Sequence, residues 1–362
     1  AMKAAVLREH NKPLVIEEVQ VSKPGPREVL VRTVAAGVCH SDVHFMDGSY
    51  PYMLPTILGH ESAGIVEEVG SSVTYVKKGD HVITCLSAFC GHCDKCLTGH
   101  LSLCSSPDVS RKEDEESRLI QDSNPIHQFL NLSSFAEMML IHEHALVKVR
   151  EDMPFDRAAL IGCSTTTGVG AVFHTAGVEP GSKVAVIGCG GVGLAAINGA
   201  AIAGAAEIIA VDMVDSKLEL AKALGATHTV NAGNCDAVGE VQELTKGGCD
   251  YTFEAIGLKA TAEQAFKMLG AGGTATVIGM IPVGTMIEIH GAELLSEKKI
   301  QGSNMGSNRF RVDMPRFVDF YLSGKLHLDQ MISKHIKLED VNDALQALKT
   351  GQEARHVIMF DQ

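Results

Sequence analysis

The feature that most constrains the fold is a glycine-rich turn set inside a strand–helix series. Val184-Ala-Val-Ile-Gly188-Cys-Gly190-Gly191-Val192-Gly193 places G-x-G-x-x-G between a β-rich run and a small-residue helix. Gly188 permits a tight turn, Gly190 lets backbone approach a pyrophosphate, and Gly193 lets helix and strand pack closely. The helix start at Gly191 then offers free N–H groups and a positive dipole end to an anion. Strand-like runs at 182–187, 207–211, 227–230, 250–254 and 274–278 alternate with helical patterns at 191–203, 216–224, 236–245 and 259–269. That alternation implies a parallel sheet covered by helices on both faces. Asp212 ends the second strand, nineteen residues after Gly193. An acid there accepts hydrogen bonds from ribose hydroxyls and repels a 2′-phosphate, so NAD is expected over NADP. Lys217 stands close enough in sequence to add a contact at the same ribose.

The first half of the chain reads differently. Short runs at 30–34, 64–69 and 81–84 are divided by Gly, Pro and Asp turns and read as strands. After residue 305, helical patterns at 314–322 and 338–349 precede a strand at 357–360, and the charged run 111–117 reads as a solvated loop. A chain of 362 residues is long for one core and suits two domains. The formal charge of −13, without a basic cluster, argues against nucleic acid as a partner. The weakly polar run 193–211 contains Asn198 and Glu207 and reads as a buried helix and strand, so no membrane partner is expected. With no secretory signal evident, a cytoplasmic location is expected. The ten cysteines then point to metal or redox chemistry more than to disulfides.

Cys90, Cys93, Cys96 and Cys104 give C-x2-C-x2-C-x7-C, a spacing that can wrap one zinc ion tetrahedrally and leave it no open position. An iron–sulfur cluster is the competitor, but its usual run ends C-x3-C-P, and here Ser105 follows Cys104. A second concentration of reactive groups is Gly37-Val-Cys39-His40-Ser41-Asp42-Val-His44, answered by Gly59-His60-Glu61. Catalytic zinc needs three protein ligands and one open position. Cys39 and His60 are two candidates, and Cys163, just before the glycine-turn domain, is a possible third that spacing alone leaves open. Asp42 could equally cap a helix and His44 could be solvated. Cys85, Cys189, Cys235 and Cys249 read as packing residues, and His142 and His144 as surface residues on a strand.

These motifs, in this order and over essentially the whole chain, resemble the zinc-dependent alcohol dehydrogenases of the medium-chain dehydrogenase/reductase superfamily. The resemblance implies an α/β protein: a mainly-β GroES-like catalytic domain at 1–164 and 305–362, and a Rossmann NAD-binding domain at 165–304. It implies that Cys39, His60 and Cys163 hold a catalytic zinc, and that the four-cysteine lobe holds a structural one. An alcohol oxygen would take the open position, and a hydride would pass to the nicotinamide, with the aldehyde or ketone reduced in reverse. Ser41 would take the alcohol proton and pass it through a ribose hydroxyl to His44. Asp42 would bond the second nitrogen of His60, and Glu61 would lie behind the zinc. His40 and Arg355 would face the pyrophosphate, with Thr167, Val192 and Ile278 among the cofactor contacts.

The implied substrate pocket comprises Tyr50, Leu86, Phe129, Leu130 and Met280, roomy enough for medium-chain or aromatic alcohols. The nearest alternative is the glutathione-dependent formaldehyde dehydrogenase branch. Its acidic pair before Gly-His-Glu is replaced here by Tyr50-Pro51-Tyr52-Met53, and Asp108 stands near the place of its anion-binding residue, although Arg111 is close by. A polyol dehydrogenase would carry a carboxylate where this chain has Cys163. The family also implies a homodimer or homotetramer, formed through strands near 285–289.

Overall fold

A computed structural model describes residues 1–351 and 355–361 of the chain. They divide into two compact units: Ala1–Cys163 with Arg309–Ser323 and Met331–Gln362, and Ser164–Asn308 with Gly324–Gln330. The expected partition differs from this one at residues 164, 305–308 and 324–330. Side-chain and backbone contacts explain the shift. Asn198 donates to the carbonyl of Lys325 and accepts from the amide of His327, which draws 324–330 to the second unit. Gly306 packs against Gly170 so closely that a Cβ on Gly170 would meet the Gly306 carbonyl oxygen at 2.5 Å.

The first unit is mainly β. A closed barrel is made by β1 (Met2–Leu7), β2 (Val15–Val21), β4 (Thr56–Ile57), β7 (Leu119–Gln121) and β8 (Asn124–Gln128). Beside it lies a seven-stranded sheet organised on β3 (Glu28–Gly37). This strand is rich in β-branched residues, which suits a pleated surface. It pairs with β5 (Ser62–Val69) along one edge, and with β9 (Met138–His142) and β18 (His356–Met359) in turn along the other. β6 (His81–Thr84), β10 (Leu146–Lys148) and β17 (Lys334–Ile336) complete the sheet. Val29, Val31, Val66, Val82 and Ile141 fill one core, while Leu7, Ile57, Phe129 and Phe135 belong to a second that continues to the C-terminal helix Val341–Lys349.

The second unit is the parallel sheet anticipated from the glycine turn. Its strands are β11 (Lys183–Ile187), β12 (Glu207–Asp212), β13 (His228–Asn231), β14 (Cys249–Glu254), β15 (Leu269–Val277) and β16 (Lys299–Gly302). They lie in the order β13-β12-β11-β14-β15-β16, all parallel. The order reverses beside β11, where doubly wound sheets open a crevice at the strands' carboxyl ends. Among the described residues, no helix is long and apolar enough to cross a membrane.

Three expectations need correction. Residues 285–289 form no strand. His142 is buried rather than on the surface, and burial, with His144 and Arg27 adding to it, lowers its pKa to about 4. Its ring accepts the backbone N–H of His144, which turns the chain at the end of β9. Arg111, placed in a solvated loop, is instead an anchor. Its guanidinium donates to both Glu28 oxygens, Ser22 Oγ, Lys23 O and Glu116 O. Glu28 also receives Arg118 at 2.7 Å, with both side chains only 7% exposed. The pattern could not reveal this, because a run of charges looks the same whether solvated or paired.

Burial alone would raise the pKa of Glu28, but Arg111, Arg118 and the Gly25 amide outweigh it and hold the carboxyl at about 2. A depressed carboxyl pKa stabilises the fold above the ordinary value near 4.5, and that contribution is lost as pH falls towards about 2. Exchanging Glu28 for Gln should strand the buried Arg118 charge and cost about 3 kcal/mol or more. Urea unfolding at neutral pH measures the loss, and the difference from wild type should shrink as the buffer is acidified. A variant as stable as wild type at pH 7 would contradict this assignment.

Candidate active site

The short helix His40–Met46 begins where β3 ends, and Cys39 is its N-cap residue. Asp42, in the first turn, is fully buried. One carboxylate oxygen accepts the Cys39 amide at 3.0 Å, closing the helix start. The other accepts the Gly59 amide at 3.1 Å and faces His60 Nδ1 at the same distance. With Nδ1–H donated to Asp42, the imidazole keeps its lone pair on Nε2. Asp42 therefore caps a helix and orients a histidine at once.

The ligand atoms of Cys39, His60 and Cys163 all lie within 4.8 Å of one another, and all three residues are buried. Contact with Cys163, ahead of the effects of Arg355 and His60, lowers the Cys39 pKa, and the same contact raises that of Cys163. Two adjacent thiols sharing one proton behave this way. Burial disfavours a charged His60, but Asp42 and Cys39 outweigh it and raise its pKa. The cluster is thus arranged around positive charge. Two thiolates and an imidazole suit zinc and leave a fourth position for another ligand.

Glu61 and Arg355 lie behind this triad. Glu61 is fully buried and occupies the space a side chain at Gly37 would need, since a Cβ there would meet its Oε1 at 2.2 Å. Arg355 donates to Glu61 Oε2 and to the Val38 carbonyl, each at 3.1 Å. Its side chain is 3% exposed, so the guanidinium expected to face a pyrophosphate points inward here. His40, by contrast, is exposed.

Ser41 Oγ stands 3.7 Å from Cys39 Sγ. His44 follows one helical turn later, its ring 5.1 Å from that of His40 and 6.1 Å from Tyr50. An aromatic cluster adjoins the triad. The Phe129 ring lies 5.9 Å from His60, 4.8 Å from Phe45 and 5.1 Å from Tyr52, all edge-on. Tyr50 and Leu130 border this cluster, and Leu86 is tied to it by Asn131 Nδ2, which donates to the Leu86 carbonyl at 3.1 Å. Phe45 and Tyr52 were missed in the sequence. The available signal was density: with twelve Phe, five Tyr and no Trp, Phe45, Tyr50 and Tyr52 fall within eight residues.

The four-cysteine lobe forms a second centre. The Cys90–Cys96 and Cys93–Cys104 sulfur pairs are each 3.9 Å apart. The edge of a tetrahedron with metal–sulfur bonds of about 2.3 Å is roughly 3.8 Å, so a zinc ion fits without rearrangement. The His92 amide, burial and the Cys93 amide are the leading influences on Cys90, whose pKa falls to about 6, while burial lifts Cys96 to about 12. Four thiols this close cannot all ionise without a cation among them. His92 is turned to Asp108 at 2.8 Å and is not a ligand.

In the second unit, Gly188 has φ +97° and Gly193 packs so tightly that a Cβ would meet the Gly188 carbonyl oxygen at 1.7 Å. The helix Gly191–Ile202 starts there, with Val192 in its first turn. No atom lies within 4 Å of a Cβ built on Gly190, which leaves that backbone open to a phosphate. Asp212 accepts the amides of Cys189, Met213 and Val214, which fixes its carboxylate beside the turn. Lys217 follows in the helix Asp215–Ala223. Ile278 and Met280 follow β15 at the same edge, where the Ile278 amide bonds the Glu254 carbonyl. Thr167 Oγ1 contacts Met305 Sδ at 3.3 Å.

Comparison with known proteins agrees with this arrangement. The alcohol dehydrogenase GroES-like domain profile matches residues 25–151, and the zinc-binding dehydrogenase profile matches residues 191–323. The chain is 38% identical over 372 aligned positions to an S-(hydroxymethyl)glutathione dehydrogenase of Paracoccus denitrificans, covering 99% of both. A solved alcohol dehydrogenase zinc-binding domain protein from Burkholderia ambifaria superimposes with a TM-score of 0.95 at 37% identity, covering 100% of this chain and 99% of that one. Benzyl alcohol dehydrogenase from Acinetobacter calcoaceticus gives 0.94 at 34% identity, with 99% of each covered. With both profiles matched and relatives aligned end to end, the chain belongs to the zinc-dependent alcohol dehydrogenases of the medium-chain dehydrogenase/reductase superfamily, oxidoreductases that use a nicotinamide cofactor.

Proposed function

We propose that this enzyme exchanges a hydride between NAD and a medium-chain or aromatic alcohol, without glutathione, using one catalytic and one structural zinc. The observation that carries the reading is the buried Cys39–His60–Cys163 triad with the Ser41 hydroxyl beside it. Zinc held by that triad supplies Lewis acidity to an alcohol or carbonyl oxygen. The chain's own groups do the rest. Asp42 fixes the tautomer of His60. Ser41 holds a hydroxyl where a substrate proton can be taken up, and His44, on the same helix, is the relay to solvent. Gly188, Gly190, Gly191 and Gly193, with Val192, cradle the pyrophosphate, and Asp212 favours NAD over its 2′-phosphorylated form. His40, exposed at the start of its helix, is placed to contact a phosphate, whereas Arg355 stays committed to Glu61 and the Val38 carbonyl. Lys217 serves the ribose, and Thr167 and Ile278 the nicotinamide. In the first unit, Tyr50, Leu86, Phe129 and Leu130 line the substrate side.

Arg111 supports the glutathione-independent reading. A guanidinium has five N–H donors, and all five of those on Arg111 are used internally. Asp108 is paired with His92. Arg111 therefore has no donor left for a glutathione carboxylate, and Asp108, itself an anion, repels one, even though a relative is named for that substrate. The resemblance to a benzyl alcohol dehydrogenase and the aromatic cluster favour an aromatic alcohol.

The ten unpaired thiols favour a reducing, cytoplasmic setting. Val283, Met286 and Leu295 are strongly exposed apolar residues close in sequence to the edge strand β16, a surface suited to a second copy of the chain in a homodimer or homotetramer.

NADH absorbance across a panel of alcohols should show turnover of benzyl and medium-chain alcohols with NAD. Adding glutathione should not be required, and strict dependence on formaldehyde plus glutathione would overturn the proposal. Metal analysis should find about two zincs per chain. Ser41→Ala should keep both ions while turnover drops by about a hundredfold or more, and unchanged turnover would remove Ser41 from the proton path. Sedimentation should report an oligomer that Leu295→Glu weakens; a monomeric wild type would refute that surface.

A further inference from the structure

The turn that carries Phe129 and Leu130 is conformationally expensive. Leu130 (φ 45°), Asn131 (φ 65°) and Ser133 (φ 57°) are all left-handed, although none is glycine. Such backbone costs on the order of 1 kcal/mol or more per residue and persists only where its surroundings enforce it. A bulky Leu in this region is a marked outlier.

Side chains supply that enforcement. Tyr52 Oη donates to the Gln128 carbonyl at 2.8 Å and accepts the Leu130 amide at 3.2 Å, bridging the backbone on either side of Phe129. The Phe129 amide donates to Ser133 Oγ at 2.7 Å, and Asn131 holds the Leu86 carbonyl. The Tyr52 ring also packs edge-on against Phe129 and Phe45, and Phe129 in turn abuts the metal-ligating candidate His60. One phenol therefore fixes two backbone groups, and between them Phe129, whose ring abuts His60.

We propose that Tyr52 is a positioning residue whose phenol holds the strained Gln128–Leu130 backbone against the metal triad and so sets the size and shape of alcohol the enzyme prefers. The inference rests on the alcohol dehydrogenase reading above. Loss of the hydroxyl frees Leu130 to leave the left-handed region, which shifts its side chain and tilts Phe129. A ring-sized substrate depends on that wall, whereas a two-carbon alcohol touches little of it.

Tyr52→Phe keeps the ring and removes the bridge. Its kcat/KM for benzyl alcohol should fall about tenfold, mainly through KM, with that for ethanol changed less than twofold. Zinc content should stay at the wild-type value, and amide hydrogen exchange should accelerate in peptides spanning 128–134. Ser133→Ala, which loosens the far end of the same turn, should move the benzyl-to-ethanol ratio in the same direction and provides the test should Tyr52→Phe fold poorly. Equal losses for both alcohols, an unchanged ratio, or unchanged exchange at 128–134 would overturn the proposal. If wild type itself turns over no alcohol, the functional reading has failed, and the exchange measurement still decides whether the phenol holds the turn.

Discussion

The buried carboxylate of Asp42 is the constraint on which the centre depends. It accepts two backbone amides, from Cys39 and Gly59, and a hydrogen bond from Nδ1–H of His60. The end of β3 and the loop before β5 are thereby held at one point, and two ligand candidates come from those two segments. Glu61, the next residue, is carried into the space above Gly37. Its charge is met by Arg355. Arg355 answers Glu61 and the two thiols, and Asp42 faces His60, so negative groups converge on the place where the three ligand atoms meet. That electrostatic setting suits a metal ion as well as the ligand geometry does.

How much of this could be read from the sequence depended on whether the information was local. The glycine turn is local, because Gly188 and Gly193 must touch, and so it identified the second unit's sheet class, although that unit begins earlier, at Ser164. The four-cysteine lobe is equally local. Cys163 was different: its place beside Cys39 depends on the long-range packing of β3, β5 and the helix Phe155–Leu160, and the family resemblance supplied what spacing could not. Arg111 and Tyr52 were invisible for the same reason. Each is defined by a partner far along the chain, Glu28 for Arg111 and the Gln128–Leu130 turn for Tyr52.

The same distinction bears on substrate choice. A relative named for a glutathione adduct and a structural neighbour named for benzyl alcohol share the fold at similar identity. The scaffold therefore cannot discriminate between them, and only side chains can. Here Arg111 is consumed in holding Glu28. Rings of Phe129, Phe45 and Tyr52 stand together on the His60 side of the triad. Under the proposed function, specificity follows from which polar groups the fold has already committed to itself.

The division of the first unit along the chain bears on how the protein is made. Strand β18 pairs residues 357–359 with residues 35–37 of β3, and Arg355 arrives with it. All six strands of the parallel sheet have been synthesised by residue 302, whereas β3 at that point still has an unpaired stretch along one edge. Such an edge is a template for unwanted pairing. During synthesis that edge of β3 is open to such pairing until residues 357–359 have been made. Residues 355–359 both close the sheet and meet the charge behind the candidate metal ligands, so the first unit is complete only when two segments from distant parts of the chain have been brought together.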